Sequence, residues 1–116
     1  MRDIAIKRIY EVPAETDGYR VLVDRLWPRG VRKDDAELDA WMKDVAPSTG
    51  LRTWWDHDPE RFAEFADRYR DELDGSTALA VLRAVCATKP TMTLLYAAHD
   101  PKVNHASVLR DVLAEA

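Results

Sequence analysis

The chain has 116 residues, of which 47% are hydrophobic and 33% are charged. This balance predicts a soluble globular protein, because it lacks both the low apolar content of a disordered chain and the long apolar run of a membrane span. The formal net charge of -4 argues against non-specific coating of nucleic acid, since the molecule as a whole repels polyanions.

Two strands are predicted near the N-terminus. They cover residues 4–10, IAIKRIY, and residues 20–27, RVLVDRLW. The segment between them contains Pro13 and the pair Asp17-Gly18, which are typical turn residues. Such a short connection favours a hairpin, because a parallel crossover normally requires a longer one.

The middle of the chain is predicted to be helical. Residues 34–57 give only short helical pieces, broken by the sequence APSTG. Residues 59–73 give the strongest helix, with Asp58 as its N-cap. Its buried face carries Phe62, Phe65, Ala66, Tyr69 and Leu73 at steps of three and four residues. On its solvated face, side chains four residues apart are expected to pair: Glu64, Arg68 and Glu72.

The last third of the chain predicts a helix, a strand and a final helix. The first of these helices covers residues 76–88, with Cys86 as a small core residue. Residues 91–98, TMTLLYAA, are nearly all apolar and predict a central strand covered on both faces. A final helix begins between Pro101 and His105. The order of elements predicts one α/β domain over residues 1–116, a small sheet of about three or four strands with helices packed on it.

Two strands end in loops that are rich in polar groups. The first runs into DRLWPRG, residues 24–30, and the last runs into HDPKVNHA, residues 99–106. Ligands of α/β domains collect at the carboxyl ends of strands, where loops supply side chains and helix N-termini supply N–H donors. These two loops therefore predict a site for a small phosphate- or carboxylate-bearing ligand, of which a nucleotide is one example.

The first loop offers the strongest anion contact. Arg29 lies between Pro28 and Gly30, in a segment that cannot form regular structure. Asp24 and Arg25 either form a structural ion pair or contribute directly, with Asp24 orienting an arginine or acting as a base.

The second loop offers two further polar residues, and each has two interpretations. Asn104 and His105 lie in or beside the first turn of the final helix. They either contact the ligand or serve as an ordinary N-cap and a surface residue.

A tryptophan-rich segment supports an alternative function. Trp41, Trp54 and Trp55 flank four polar residues in the sequence: Lys43, Ser48, Arg52 and His57. Interleaved aromatic and cationic groups bind single-stranded nucleic acid, but large aromatics also build cores and interfaces. The alternative is therefore a non-catalytic interaction module for protein or single-stranded nucleic acid, although the net charge disfavours nucleic acid.

Cysteine content and the N-terminal sequence indicate a cytoplasmic protein. Asp3, Lys7 and Arg8 interrupt every hydrophobic run at the N-terminus, unlike a signal peptide. The single cysteine, Cys86, cannot form an internal disulfide. We predict no metal site, because His57, His99 and His105 and the one thiol do not have ligand spacing. The sequence identifies no cofactor and leaves the oligomeric state open.

Several motifs carry a resemblance to a known family. These are RVLVDRLWPRGV, W-x-K-D-x-APST-x-LR, HDPERFAEFADRYRDEL and LLYAAHD followed by NHASVL. Together they resemble the family called domain of unknown function 488, in its YeaO-like branch, over residues 3–114. The resemblance implies an α/β fold whose marked segments meet near the carboxyl ends of strands. Its recognisable polar positions are Asp24, Arg25, Arg29, Lys43, Asp44, Ser48, Asn104 and His105, and its aromatic positions are Trp27, Trp41 and Tyr69.

One departure from the wider family bears on mechanism. Other branches carry a Cys-His-Arg triplet where this chain has Asn104, His105 and Ala106. A thiolate at a helix N-terminus is a credible nucleophile, and an asparagine is not. The resemblance therefore leaves ligand binding by Arg25, Arg29, Lys43, Ser48 and Asn104, with Asp24 and His105 as candidates for acid–base catalysis.

Overall fold

The computed structural model describes residues 3–115, which form a single four-stranded parallel sheet with helices packed on it. The strands are β1 (Asp3–Arg8), β2 (Tyr19–Leu22), β3 (Ala40–Trp41) and β4 (Thr91–Tyr96), in the order β1-β4-β2-β3. The helices are α1 (Lys33–Ala36), α2 (Thr49–Trp55), α3 (Phe62–Leu73), α4 (Thr77–Ala87) and α5 (His105–Ala114). The predicted α/β fold is confirmed.

The predicted hairpin between the first two strands is wrong. β1 and β2 do not pair with each other, because β4 lies between them and is parallel to both. Residues 9–18 therefore return the chain to the amino end of the sheet, and they cross β4 on the way. Short strands make this crossover feasible, since the chain has to travel back over only a few residues. The turn residues in this segment form a 3-10 turn, Glu15–Asp17, rather than a hairpin loop.

The prediction that residues 91–98 contain a central strand is confirmed. β4 has a neighbour on each side, and Met92 through Tyr96 are all buried. Its alternate residues face two separate cores. Met92 and Leu94 belong to the large core under α2, α3, α4 and α5. Leu95 belongs to a smaller core on the opposite face, with Ile9, Leu22 and Ala36.

The predicted helices form, with small shifts at their starts. Asp58 is a cap, but it caps a 3-10 turn, Pro59–Arg61, that leads into α3. α4 begins after its cap Ser76, and Cys86 is a buried core residue as predicted. The weak pattern over residues 34–57 corresponds to short pieces, of which α2 is the longest.

A buried ion network holds the amino end of the sheet. Asp17, just before β2, lies 3.1 Å from Lys7 Nζ and 2.5 Å from Arg20 Nη1. The Arg20 guanidinium also donates to the carbonyls of Ala36 and Glu37. Burial alone would raise the pKa of Asp17, but the hydrogen bond from Ala14 N and those from Lys7 and Arg20 outweigh it and lower the pKa below its ordinary value. The ionised carboxylate is therefore the form that the fold stabilises.

Candidate functional site

A cleft of about 330 Å³ opens at the carboxyl ends of β2 and β4. We call it the strand-end cleft. Its lining residues are Tyr10, Asp24, Arg25, Leu26, Trp27, Pro28, Arg29, Ala46, Pro47, Arg52, Trp55, His57, Ala97, Ala98 and His105. Its lining thus includes three guanidinium groups against a single carboxylate. The lining charge is therefore positive, although the whole chain is acidic.

Asp24 and His105 form a contact at the base of this cleft. Asp24 follows the end of β2, and its Oδ2 accepts a hydrogen bond of 3.0 Å from Ala97 N in the loop after β4. His105 Nε2 lies 3.1 Å from Asp24 Oδ1 and 3.0 Å from Val23 O. Because both oxygens are acceptors, Nε2 is the donor in this contact. Its hydrogen bond goes to Val23 O, and the buried Oδ1 of Asp24 accepts no hydrogen bond from the described residues.

Tyr69 packs against the His105 ring of the Asp24–His105 contact. Its ring meets the His105 ring edge-on, with centroids 6.3 Å apart, and its hydroxyl donates a short hydrogen bond to Val45 O. Burial raises the pKa of Tyr69 well above its usual range, so the hydroxyl stays protonated and keeps donating. Tyr69 therefore fixes the turn Lys43–Val45 against α3.

The three arginines of the strand-end cleft have different environments. Arg25 is held by the protein itself, since its Nη2 donates to Ala46 O at 3.1 Å and its Nε to Pro47 O at 3.4 Å. Arg29 and Arg52 are exposed. In the part of the chain that the structure describes, neither of their guanidinium groups has a hydrogen-bond or ion-pair partner. These two groups are thus available to a ligand.

The loop that carries Arg29 is fixed by its backbone. Tyr10 OH donates a hydrogen bond of 2.9 Å to Arg29 O. Trp27 Nε1 donates one of 2.7 Å to Val31 O, on the other side of Arg29 in the sequence. The backbone that carries the Arg29 side chain is therefore held in place by hydrogen bonds on both sides.

Three of the residues predicted as ligand contacts lie outside the strand-end cleft. Lys43 is exposed, and its ammonium group lies over the Trp41 ring at 5.2 Å. Ser48 is the N-cap of α2, and its hydroxyl donates to Glu72 at 2.6 Å. Glu72 thus contacts Ser48 rather than pairing with Arg68, whose carboxylate partner is Glu64.

Asn104, the third of these residues, is completely buried. Its Oδ1 accepts a hydrogen bond of 2.8 Å from Ser107 N, and its Nδ2 donates one of 2.9 Å to Asp100 O. The structure therefore gives it the role of N-cap of α5. Asp100 holds the same loop by accepting from Val103 N and Lys102 N, and these bonds lower its pKa.

The lining also includes Arg52 and His57, which the sequence did not assign to the anion site. The sequence grouped both with the tryptophans. The burial of Leu51 and Trp55, four residues apart, does define the inner face of α2 and leaves Arg52 outside it. No local pattern, however, indicates that α2 lies beside the loops that follow β2 and β4.

The tryptophan-rich segment is largely occupied by internal contacts. Trp55 is buried and stacks on Phe65, with centroids 4.0 Å apart. Trp54 has the guanidinium groups of Arg61 and Arg68 over its ring. Trp41 donates from Nε1 to Asp24 O at 2.7 Å.

Residues 3–115 contain no group of three or more His, Cys, Asp or Glu side chains arranged to hold a metal ion. None of the helices formed by these residues has the length and apolar character that crossing a membrane requires.

Comparison with known proteins gives a family match over almost the whole chain. The model of a family described as the inactive DUF488-N3 subclade matches residues 3–116. The chain is 48% identical over 110 residues to Uncharacterized protein Rv3073c of Mycobacterium tuberculosis, covering 95% of this chain and 92% of the relative. It is 43% identical over 111 residues to Uncharacterized protein YeaO of Escherichia coli, covering 96% of each. No solved structure matches the chain.

Proposed function

We propose that this chain, which belongs to the DUF488 family in the part described as the inactive DUF488-N3 subclade, binds a small phosphate- or carboxylate-bearing ligand in the strand-end cleft. The observation that carries the proposal is the pair of guanidinium groups of Arg29 and Arg52 on the lining of one cleft, neither of which has a partner among residues 3–115. Guanidinium groups bind planar and tetrahedral anions through paired N–H donors. A cleft of about 330 Å³ is at the small end of the range for ligand sites.

Acid–base catalysis by Asp24 and His105 has weaker support than binding. His105 Nε2 donates a hydrogen bond to Val23 O, and Asp24 Oδ2 accepts one from Ala97 N. These bonds hold the two loops together at the base of the cleft. We therefore propose that the pair orders the site, which agrees with the word inactive in the description of the subclade.

The alternative of a single-stranded nucleic-acid surface also has weaker support. Stacking of bases requires open aromatic faces. Trp55 is buried, and the Trp54 ring already carries two guanidinium groups.

Removal of Arg29 tests the proposal. The Arg29→Ala variant is expected to bind orthophosphate about 10–100-fold more weakly than the parent, because it loses hydrogen bonds from a charged donor. Isothermal titration calorimetry with orthophosphate, sulfate and acetate measures the change.

Arg32→Ala is the matched control for this test. Arg32 is exposed, is three positions from Arg29, and lies outside the strand-end cleft. Both variants remove one positive charge, so a purely long-range effect of charge would weaken both equally. An Arg29→Ala variant that remains folded and binds all three anions as well as the parent would refute the proposal.

A further inference from the structure

The strand-end cleft combines cationic donors with a large apolar lining. We infer that its ligand is an organic phosphate monoester whose alcohol carries an apolar group, in preference to a free inorganic anion or a simple carboxylate. This inference rests on the proposed function and specifies its ligand class.

Three donors that have no partner among residues 3–115 line the cleft from three different segments. Arg29 comes from the loop after β2, Arg52 from α2, and His57 from the turn after α2. A carboxylate has two oxygens, and one guanidinium fork satisfies both. The phosphoryl group of a monoester offers three acceptor oxygens and a charge between -1.5 and -2 at pH 7. Separate donors on separate segments therefore suit a phosphate better than a carboxylate.

His57 is placed at the cleft by its backbone. Asp56 and His57 are consecutive non-glycine residues with positive φ, at 50° and 55°, a region that such residues rarely adopt. The His57 ring packs on Trp55, with centroids 4.8 Å apart. Within residues 3–115, its ring nitrogens have no hydrogen-bond partner. The turn therefore presents an imidazole whose N–H is available to a bound phosphate.

The apolar part of the cleft extends to an exposed lip. Leu26 is 66% exposed and Tyr10 is 47% exposed, and both line the cleft. A volume of about 330 Å³ is many times the roughly 10–15 Å³ that one water requires, so a bare phosphate would fill only part of it. An apolar group on the ligand would fill the remainder and cover Leu26, which gains free energy from the apolar area removed from water.

Three probe ligands test the inference: phenyl phosphate, orthophosphate and benzoate. Calorimetric titration of the parent at neutral pH is expected to show phenyl phosphate binding at least about tenfold more tightly than either of the others. The comparison separates the two parts of the inference, since orthophosphate lacks the apolar group and benzoate lacks the phosphoryl group.

Two variants test which residues cause the preference for phenyl phosphate. Leu26→Ser is expected to weaken phenyl phosphate binding about threefold to tenfold and to leave orthophosphate binding unchanged. Val81→Ser is its matched control, because Val81 is an exposed apolar residue outside the cleft. His57→Ala is expected to weaken both phosphates about tenfold and to leave benzoate binding nearly unchanged.

The outcomes separate this inference from the proposed function. If orthophosphate or benzoate binds the parent as tightly as phenyl phosphate, the inference is overturned and anion binding stands. If Leu26→Ser binds phenyl phosphate like the parent, the apolar lip has no role and the inference is likewise overturned. If none of the three probes binds the folded parent, the proposed function fails together with it.

Discussion

Replacing Asp17 with alanine is expected to lower the free energy of unfolding by about 3–5 kcal/mol, because it leaves a buried guanidinium without its carboxylate. Arg20 is only 4% exposed, and Asp17 is the carboxylate that pairs with it. Asp17 also bonds to the Lys7 ammonium on β1 and accepts from Thr93 on β4 through its carbonyl. The residue thus connects three strands at once. Urea unfolding followed by circular dichroism measures the loss.

Glu64→Ala is the matched control for this variant. It also removes one carboxylate from an ion pair with an arginine, but both partners of the Glu64–Arg68 pair are about half exposed. We expect it to cost no more than about 1 kcal/mol, the upper end for exposed pairs. Equal losses in the two variants would contradict the account of the buried network.

The same network gives the parent a defined response to acid. Because the pKa of Asp17 is lowered in the folded state, its contribution is complete above its ordinary value of 3.8 and is lost as the pH falls through the lowered value. At neutral pH the parent is expected to have a larger free energy of unfolding than Asp17→Ala. Below about pH 4, the part of this difference that comes from the carboxylate is expected to disappear. A difference in free energy of unfolding that is the same at pH 7 and at pH 2 would contradict this assignment.

Replacing both Arg29 and Arg52 with alanine is expected to weaken phosphate binding by a factor on the order of a thousand. Each arginine is exposed, and its guanidinium group has no partner in the described part of the chain, so the substitutions remove ligand contacts without breaking hydrogen bonds seen there. Alanine is also the best helix former, which protects α2 at position 52. Calorimetry with orthophosphate or phenyl phosphate gives the ratio of dissociation constants.

Two double variants serve as controls for this result. Arg32→Ala with Arg110→Ala removes the same charge from outside the strand-end cleft and is expected to retain binding. Arg29→Lys with Arg52→Lys keeps the charge but loses the planar fork, so an intermediate affinity is expected. If the lysine pair binds phosphate as tightly as the parent, guanidinium geometry has no part in the site.

Local sequence patterns predicted most of the helices and the strand segments. The apolar periodicity of α3 and the uniform apolarity of β4 are properties of single segments, and both predictions were confirmed. The strand order depends on pairings between residues far apart in the sequence, such as Asp3 with Thr91 and Tyr19 with Met92. Nothing between residues 9 and 18 indicates that β4 will insert beside β1, so the turn residues were assigned to a hairpin.

The candidate site shows the same division between local and long-range information. The loops after β2 and β4 were recognisable because each follows an apolar strand, and Asp24, Arg29 and His105 do line one cleft. Asn104 and Ser48 are helix N-caps. The same residue types also contact ligands, and the sequence does not show the burial and the hydrogen-bond partners that distinguish the two roles. Arg52 comes from a helix whose place beside those loops is set by the packing of Trp55 on Phe65.

The position of a heavy anion bound to the protein would show whether Arg29 and Arg52 hold an anion together. Crystals of the parent protein soaked in tungstate, at a concentration that saturates binding in solution, would locate the anion by anomalous scattering. We predict a peak whose oxygens lie about 2.7–3.2 Å from both guanidinium groups. An empty strand-end cleft under those conditions, or tungstate bound only elsewhere on the molecule, would contradict the account.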